Sequence, residues 1–597
     1  MSKKDYQNWS HERLLHEYKE LLNRKKFGLV WEDKKEDVAE KCKDFLPVLK
    51  EEKKKEVLTS KNDTNHILIE GDNYHSLSVL CYTHKKKVDI IYIDPPYNKG
   101  GKDFVYNDNY VDKDDTFKHS KWLSFISKRL SLAKRYLLKD DGVIFISIGE
   151  EELSTLKLLA DSIFGEKNFL SYITRVAKTA SNKGNYFAPS TDFILVYAKN
   201  IEMLPQFKDE VNISLYKKED ENGMYRDDIA LYQSSLDPMR GCVNQRYFIK
   251  CPDGSLVIPP GNILPKSKKD SAFIKPKTAE DKIWRWTYDT YLNNKELLVF
   301  KKTKRSPLLD ENGNQAKYNI YTKSYLNDRE KQGVLPRNYL DQFINRKGAD
   351  FLKTLDINFD YPKPVELIKY LIKITNKEKD ITILDFMAGS GTTGQAVLEM
   401  NFKDRGKRTF ILCTNNELNG IGSALAKKGK KEDKEKFGIC QRATLPRLER
   451  CIKGYASSDK KHFKSLGGNL KYFKTSFVAN VKTDNDKRIF TNQSTEMLCL
   501  AEKTFDKIIN KKEQFALYQN KEQITGIIYD EDYITDFKKE IEKFKKSIVA
   551  YVFSYDHTYS EEDFADIKKL VKVKPIPEVI LNVYRKIYKD LYKTKRV

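Results

Sequence analysis

Short apolar runs that stop at turn residues alternate with stretches of three-to-four apolar spacing in two separated parts of the chain. In the first part HILIEGDN (66–73), VDIIYIDPPYN (88–98), GVIFISIGE (142–150) and DFILVYAKN (192–200) read as buried strands, and HSKWLSFISKRLSLAKRYLL (119–138) reads as a helix. In the second, KPVELIKYLIKIT (363–375) and TTGQAVLEMN (392–401) have helical spacing. ITILDFMAGSG (381–391) and RTFILCTNNE (408–417) are strands that run into a glycine loop and an acid. Strands alternating with helices predict a parallel α/β sheet. Between the two parts, residues 201–359 carry scattered prolines and aromatics, as in CPDGSLVIPPGN and KIWRWTYDTYL, without a long helical period. The pattern therefore predicts one α/β domain, residues 61–200 and 360–449, interrupted by an insert at 201–359. It is preceded by a charged helical segment, 1–60, and followed by a mixed, Lys-rich domain, 450–597, which contains the strand-like IVAYVFSYD (548–556).

Length and composition narrow the function classes. The 597 residues suffice for about three or four domains of ~150 residues. With 40% hydrophobic and 33% charged residues, large cores are affordable and wholesale disorder is not expected. No apolar run reaches the ~18 residues of a membrane span, and the amino-terminal stretch lacks the apolar segment of a signal peptide. The eight cysteines are scattered without a CxxC pair, which argues against a zinc ribbon or a disulfide framework and for the reducing cytoplasm. The net charge of +23 points towards a polyanion, but Lys-, Asn- and Ile-rich coding from an AT-rich genome gives the same excess.

Two motifs carry chemistry. Asp94-Pro95-Pro96-Tyr97 ends an apolar strand, where open α/β sheets hold their ligands. The prolines stiffen the turn and remove N–H donors, so it presents acceptors. The Asp94 carboxylate and the Pro95 carbonyl can take both hydrogens of an exocyclic amine, and Tyr97 offers a flat face to a flipped base. The second motif runs from Asp385 through Phe386, Ala388, Gly389, Ser390 and Gly391 to Thr392. Its glycines allow a tight turn and close ligand approach, and a helix N-terminus suited to a carboxylate follows. Glu417, at the end of the next strand, is placed for a ribose diol. Dinucleotide binding is the main rival for this loop, although its glycine spacing departs from GxGxxG. A phosphate-cradling P-loop is excluded by the missing GK[ST]. The histidines show no metal-ligand spacing, so no metal is expected. Cys413 lies inside an apolar strand as a small core residue, and the run KKGKKEDKEK (427–436) reads as a solvated loop. Trp284-Arg285-Trp286 is better read as core than as a stacking platform for bases.

Together, the two motifs make the sequence resemble the β-class DNA adenine-N6 methyltransferases, in which the amine motif precedes the cofactor motif. It looks most like the modification (Mod) subunits of type III restriction–modification systems. The likeness extends over IYIDPPYNKGGKDFVYND, WRWTYDTYL, FDYPKPVELIKYLI, FMAGSGTTGQAVLEMN, GNLKYFKT and KVKPIPEVILNVYRKIY. It implies a circularly permuted Rossmann-like α/β fold with an inserted target-recognition domain and S-adenosylmethionine as cofactor. In that family's terms, Asp94, Pro95, Pro96 and Tyr97 would hold the adenine amine. Phe386, Gly389 and Gly391 would line the methionine side of the cofactor within the Asp385–Thr392 loop. Glu417 would hold the ribose, Pro364 would begin the helix closing over the amino-acid end, and Asp72 would lie near the cofactor adenine. The resemblance also implies double-stranded DNA as substrate, a homodimer, and a helicase–nuclease restriction subunit as partner. N4-cytosine transfer, a solitary type II-like enzyme, and a DNA-binding specificity subunit with secondary activity are the alternatives.

Overall fold

The computed structural model describes residues 9–15, 29, 31–100, 104–107, 109–179, 186–239, 244–418, 422–423, 426, 435–457, 461–555, 561–567 and 571–593. Most of the 427–436 run therefore lies outside the described residues. Two compact units form: residues 1–206 with 337–597, and residues 207–336.

The larger unit is built on a ten-stranded sheet. Its strands, in chain order, are β1 (Phe45–Glu51), β2 (Asn65–Glu70), β3 (Val88–Ile93), β4 (Leu138–Ile148), β5 (Phe169–Val176), β6 (Thr191–Ala198), β7 (Tyr339–Leu340), β8 (Thr382–Asp385), β9 (Thr409–Thr414) and β10 (Asn469–Ala479). Across the sheet they lie in the order β1-β10-β2-β9-β8-β3-β4-β6-β5-β7. The six strands from β10 to β4 are parallel, and β6 runs antiparallel between β4 and β5. After the edge strand β1, the chain enters the parallel part at β2, moves outward through β3 and β4, and returns after residue 336 to place β8 and β9 between strands already laid down. That is the expected circular permutation of a doubly wound sheet. Strand β3 and the Gly142–Ile148 part of β4 are buried on both faces because helices cover both sides; Val88–Ile93 is buried throughout.

Helices α1 (Asn73–Thr83), α2 (Lys118–Leu132), α3 (Leu153–Phe164), α4 (Val365–Ile374), α5 (Thr392–Asp404) and α6 (Leu445–Lys453) cover the sheet. The stripe Val365, Leu367, Ile368, Leu371, Ile372 of α4 is buried, as its spacing predicts. His66 stacks on Phe410 with ring centres 4.2 Å apart, and His75 and His84 are likewise buried. Burial drives both His66 and His84 down to about 3, so all the chemistry they show is that of neutral core residues.

Three boundaries differ from the sequence expectation. Within the segment read as helical, 1–60, FLPVLKE is β1, an edge strand paired antiparallel with β10. Residues 469–479, expected in the terminal domain, are β10, a strand of the central sheet between β1 and β2. Residues 337–359, expected in the insert, belong to the larger unit, where Tyr339–Leu340 adds to the sheet edge beside β5. In each case a long-range pairing, invisible in a local pattern, settles where the segment goes. The carboxyl-terminal part carries its own five-stranded sheet, β11 (Asp506–Lys511), β12 (Phe515–Gln519), β13 (Gln523–Ile528), β14 (Ser547–Phe553) and β15 (Val571–Ile576). The closing helix α7 (Glu578–Lys593) is tied back by the Tyr584 hydroxyl, which donates to the Pro47 carbonyl of β1 at 2.6 Å.

The 207–336 unit is a pair of small antiparallel sheets around an aromatic cluster of Tyr247, Trp284, Tyr291 and Tyr318. Trp284 is fully buried and donates to the Tyr247 carbonyl at 2.8 Å, and Trp286 packs on the same cluster. Arg246 is buried too, its guanidinium bridging the carbonyls of Pro259, Pro260, Ile263 and Lys282. Among the described residues no helix is long and apolar enough to cross a membrane.

Candidate active site

Strands β3 and β8, whose residues are nearly 300 positions apart, are parallel neighbours, with Ile90 against Ile383 and Ile91 against Leu384. The two motifs therefore leave the sheet side by side at its carboxyl edge. This is where the strand order reverses, the place open α/β sheets form a ligand crevice.

The Asp94–Tyr97 turn is held from below and behind. The fully buried Trp122 of α2 donates its indole N–H to the Pro96 carbonyl at 2.7 Å. Asn98, buried and left-handed at φ 59°, donates to Glu152 Oε1 at 2.6 Å. The Tyr97 ring lies so close to Gly149 that a Cβ there would stand 2.8 Å from its Cδ2. The Tyr97 hydroxyl donates to Asp192 Oδ2 at 3.2 Å. Burial and the Asp94 carboxylate push its phenol far above the ordinary range, which leaves it a neutral donor.

Three charged residues absent from the sequence reading complete this pole. Lys363, 8% exposed, places its ammonium 2.7 Å from both Asp94 carboxylate oxygens and 3.0 Å from the Tyr97 hydroxyl. Arg175 on β5 forks onto Asp192, its cross-strand partner on β6, with Nε 2.7 Å from Oδ1 and Nη2 on Oδ2. It also reaches the Phe343 carbonyl and Asn345. The only sequence signal for Lys363 was its place between two prolines at a helix entrance. For Arg175 and Asp192 it was charge inside apolar strands.

At the second motif, Gly389 and Gly391 take left-handed φ of 51° and 81°, and α5 starts at Thr392. The fully buried Arg447 of α6 braces this loop, donating to Ser390 Oγ and Thr392 Oγ1, both at 2.9 Å, and to Gln395 Oε1. Thr444 donates to the Gly389 carbonyl at 2.6 Å. Ala388 is bound through its N–H to the carbonyl of Cys413, itself a buried core residue. Phe386 is fully buried in the core beneath the loop. Pro364 stands at the start of α4 as read from the sequence. Asp72 caps α1 by accepting from the Tyr74 N–H at 2.7 Å. Glu417 follows β9, exposed, with Asn415 donating to its carboxylate at 3.0 Å. Because β2 and β9 are neighbours, Asp72 and Glu417 flank the same stretch of the sheet's carboxyl edge.

Asp385 is buried beneath the loop, accepting from Thr393 Oγ1 at 2.6 Å and from the Met387 N–H at 3.0 Å. Burial raises its carboxyl to about 7 despite these bonds. A carboxyl raised on folding stabilises fully below its unfolded value, and that contribution is lost as pH rises through the folded value. The stability of Asp385→Asn, followed by thermal melting, should therefore gain on the wild type between pH 5 and pH 8 by up to about 3 kcal/mol. A difference between the two proteins that stays constant over that range would mean that Asp385 does not titrate there.

The sequence profile of the DNA methylase family matches residues 88–418, which span both motifs and everything between them. The EcoPI Mod subunit of a type III restriction–modification enzyme, from Escherichia phage P1, is 33% identical over 397 residues, 60% of this chain and 58% of that subunit. The chain thus spans little more than half the length of such a Mod subunit. The type II methyltransferase M.KpnI of Klebsiella pneumoniae is 32% identical over 369 residues, 60% of this chain and 82% of that enzyme. Among solved structures, the cytosine-N4-specific PvuII DNA methyltransferase aligns with 66% of this chain and 96% of its own at 10% identity and a TM-score of 0.30.

Proposed function

The chain belongs to the DNA methylase family, and from that premise we propose that it methylates N6 of adenine in double-stranded DNA with S-adenosylmethionine, as the modification subunit of a type III restriction–modification system. The observation that carries this is the side-by-side exit of Asp94-Pro95-Pro96-Tyr97 and the Asp385–Thr392 loop from adjacent strands β3 and β8. The cofactor supplies an electrophilic methyl on a sulfonium. The residues fit it: a glycine turn that allows close backbone approach, free N–H groups at the start of α5 for its carboxylate, Glu417 for its ribose, and Asp72 near its adenine.

The target adenine is flipped from the duplex, at a cost of about a few kcal/mol. Asp94 and the Pro95 carbonyl accept its amine hydrogens, which turns the nitrogen lone pair towards the methyl, and Tyr97 stacks on the ring. Positioning supplies the rate. The 207–336 unit, with its own core and many Lys and Arg side chains, reads the base sequence. A homodimer, a helicase–nuclease partner and a cytoplasmic setting go with the type III reading.

The test is transfer of labelled methyl to methyl-free DNA, followed by digestion to nucleosides. Label in N6-methyladenine is expected; label in N4-methylcytosine would overturn the base assignment, and none at all the catalytic one. Exchanging residues 207–336 for the equivalent unit of a related enzyme of known site should switch the methylated sequence to the donor's. A folded, active chimera that keeps the original sequence would place recognition elsewhere. The 82% coverage of M.KpnI favours a second reading, a solitary type II-like enzyme. Methylation of one strand per site supports the type III reading, and methylation of both strands the second.

A further inference from the structure

We propose that Lys363 is a positioning residue of the transfer step: its ammonium holds Asp94 as an amine would, and yields that carboxylate to the target amine by moving onto Asp192. The inference rests on the reading of Asp94 as the amine acceptor. Lys363 Nζ contacts both oxygens of Asp94 at 2.7 Å and lies 5.0 Å from the centre of the Tyr97 ring. A nitrogen with hydrogens to donate thus already sits between the acceptor and the stacking face. A carboxylate has about four lone-pair positions over two oxygens, so an amine aligned on Asp94 must displace at least one of these contacts.

The lysine has somewhere to go. Asp192 Oδ2 is 3.9 Å from Nζ, and Asp192 is held rigidly by the buried fork of Arg175. A shift of about 1 Å, well within lysine rotamer freedom, brings Nζ into hydrogen-bond range of Asp192. The backbone cannot follow it. Pro362 and Pro364 fix the dihedrals on either side, and Gly348 packs directly on the carbonyls of Pro362 and Lys363, where a Cβ would stand 2.7 and 2.8 Å away. A mobile head on a clamped stem is what an exchange of partners requires. A buried ammonium that lost Asp94 without a second carboxylate in reach would be strongly disfavoured.

The pair also sets the charge of the site. Around Asp94 and Tyr97 stand the carboxylates of Asp192 and Asp385, the phenol of Tyr92 and the cations Lys363 and Arg175, with Lys99 over the Tyr97 ring. With Lys363 removed, Asp94 keeps its like-charged neighbours and loses the direct counter-ion it has among the described residues, so the carboxylate is no longer held in place for an incoming amine.

Single-turnover methylation of amplified, methyl-free genomic DNA by labelled S-adenosylmethionine, measured over a range of DNA concentrations, tests this. Lys363→Met should lower the rate at saturating DNA by about tenfold or more, while the DNA concentration giving half that rate stays within about twofold of the wild type. Its calorimetric affinity for the cofactor should stay close to that of the wild type. Lys363→Arg, which keeps the charge and the donors, should recover part of the lost rate. If the Met variant does not fold, Lys363→Gln, uncharged but still a donor, carries the same expectation. An unchanged rate at saturating DNA, or a loss carried by weaker DNA binding alone, would overturn the proposal. Asp94→Ala in the same assay separates the two levels. If it is active, the reading of Asp94 falls and this inference with it; if it is inactive while Lys363→Met behaves as wild type, the lysine proposal alone fails.

Discussion

Asp94→Ala should reduce methyl transfer to below about one-thousandth of the wild-type rate, while calorimetric affinity for S-adenosylmethionine stays near that of the unaltered protein. The carboxylate is one of two acceptors proposed for the target amine, and no other side chain at the end of β3 can replace it. Its removal leaves the Lys363 ammonium with the Tyr97 hydroxyl and the more distant Asp192 carboxylate. That lysine can swing to Asp192, so the fold should survive with some loss of stability. The Asp385–Thr392 loop is braced independently by Arg447 and Thr444 and should be undisturbed. Transfer at a rate near wild type would refute the assignment of Asp94.

Gly391→Val should weaken cofactor binding by about a hundredfold or more, equivalent to about 2.7 kcal/mol. At φ 81° a β-branched residue is strained by about 1–3 kcal/mol. Its Cβ would stand 3.2 Å from Thr444 Cγ2 and 3.6 Å from the Thr444 carbonyl. The sequence suggested that a side chain here would fill ligand volume; the structure directs it at Thr444 instead. The damage is therefore indirect. Thr444 holds the Gly389 carbonyl, and displacing it opens the turn that aligns the first N–H groups of α5. Gly391→Ala, with the same φ strain but no branch, should fall between the two. Unchanged affinity in a folded Val variant, judged by circular dichroism, would sink the idea that this loop cradles the cofactor.

Local signals were enough for the motif-bearing elements. VDIIYI is buried at every position and apolar at all but Asp89 because its strand is covered on both faces, and the prolines after Asp94 end it where no further ladder bond can form. Gly389 and Gly391 take positive φ, as glycines in a tight loop are expected to. The amphipathic spacing of 363–375 is α4, with its apolar stripe inward. Less was legible where a residue's role depends on a partner far along the chain. FLPVLKE carries a short apolar run beside charged neighbours, and only its antiparallel register with residues 473–479 makes it an edge strand. Asp72 was read towards the cofactor, and in the structure its carboxylate also caps α1, a bond that any Asp before a helix can make.

What the sequence determined by itself was the motif-bearing strands and helices, the two motifs and the order in which they occur. Each depends on side-chain period, backbone restriction by Pro and Gly, or capping within a few residues. Only the tertiary structure decided that β8 slots between β9 and β3, bringing the two motifs together, and that 337–359 and 469–479 join the larger unit. It alone brought Lys363 onto Asp94 and Arg175 onto Asp192. Buried ion pairs obey distance and desolvation, and a separation of 269 positions leaves no period in the chain by which the Asp94–Lys363 pair could be read.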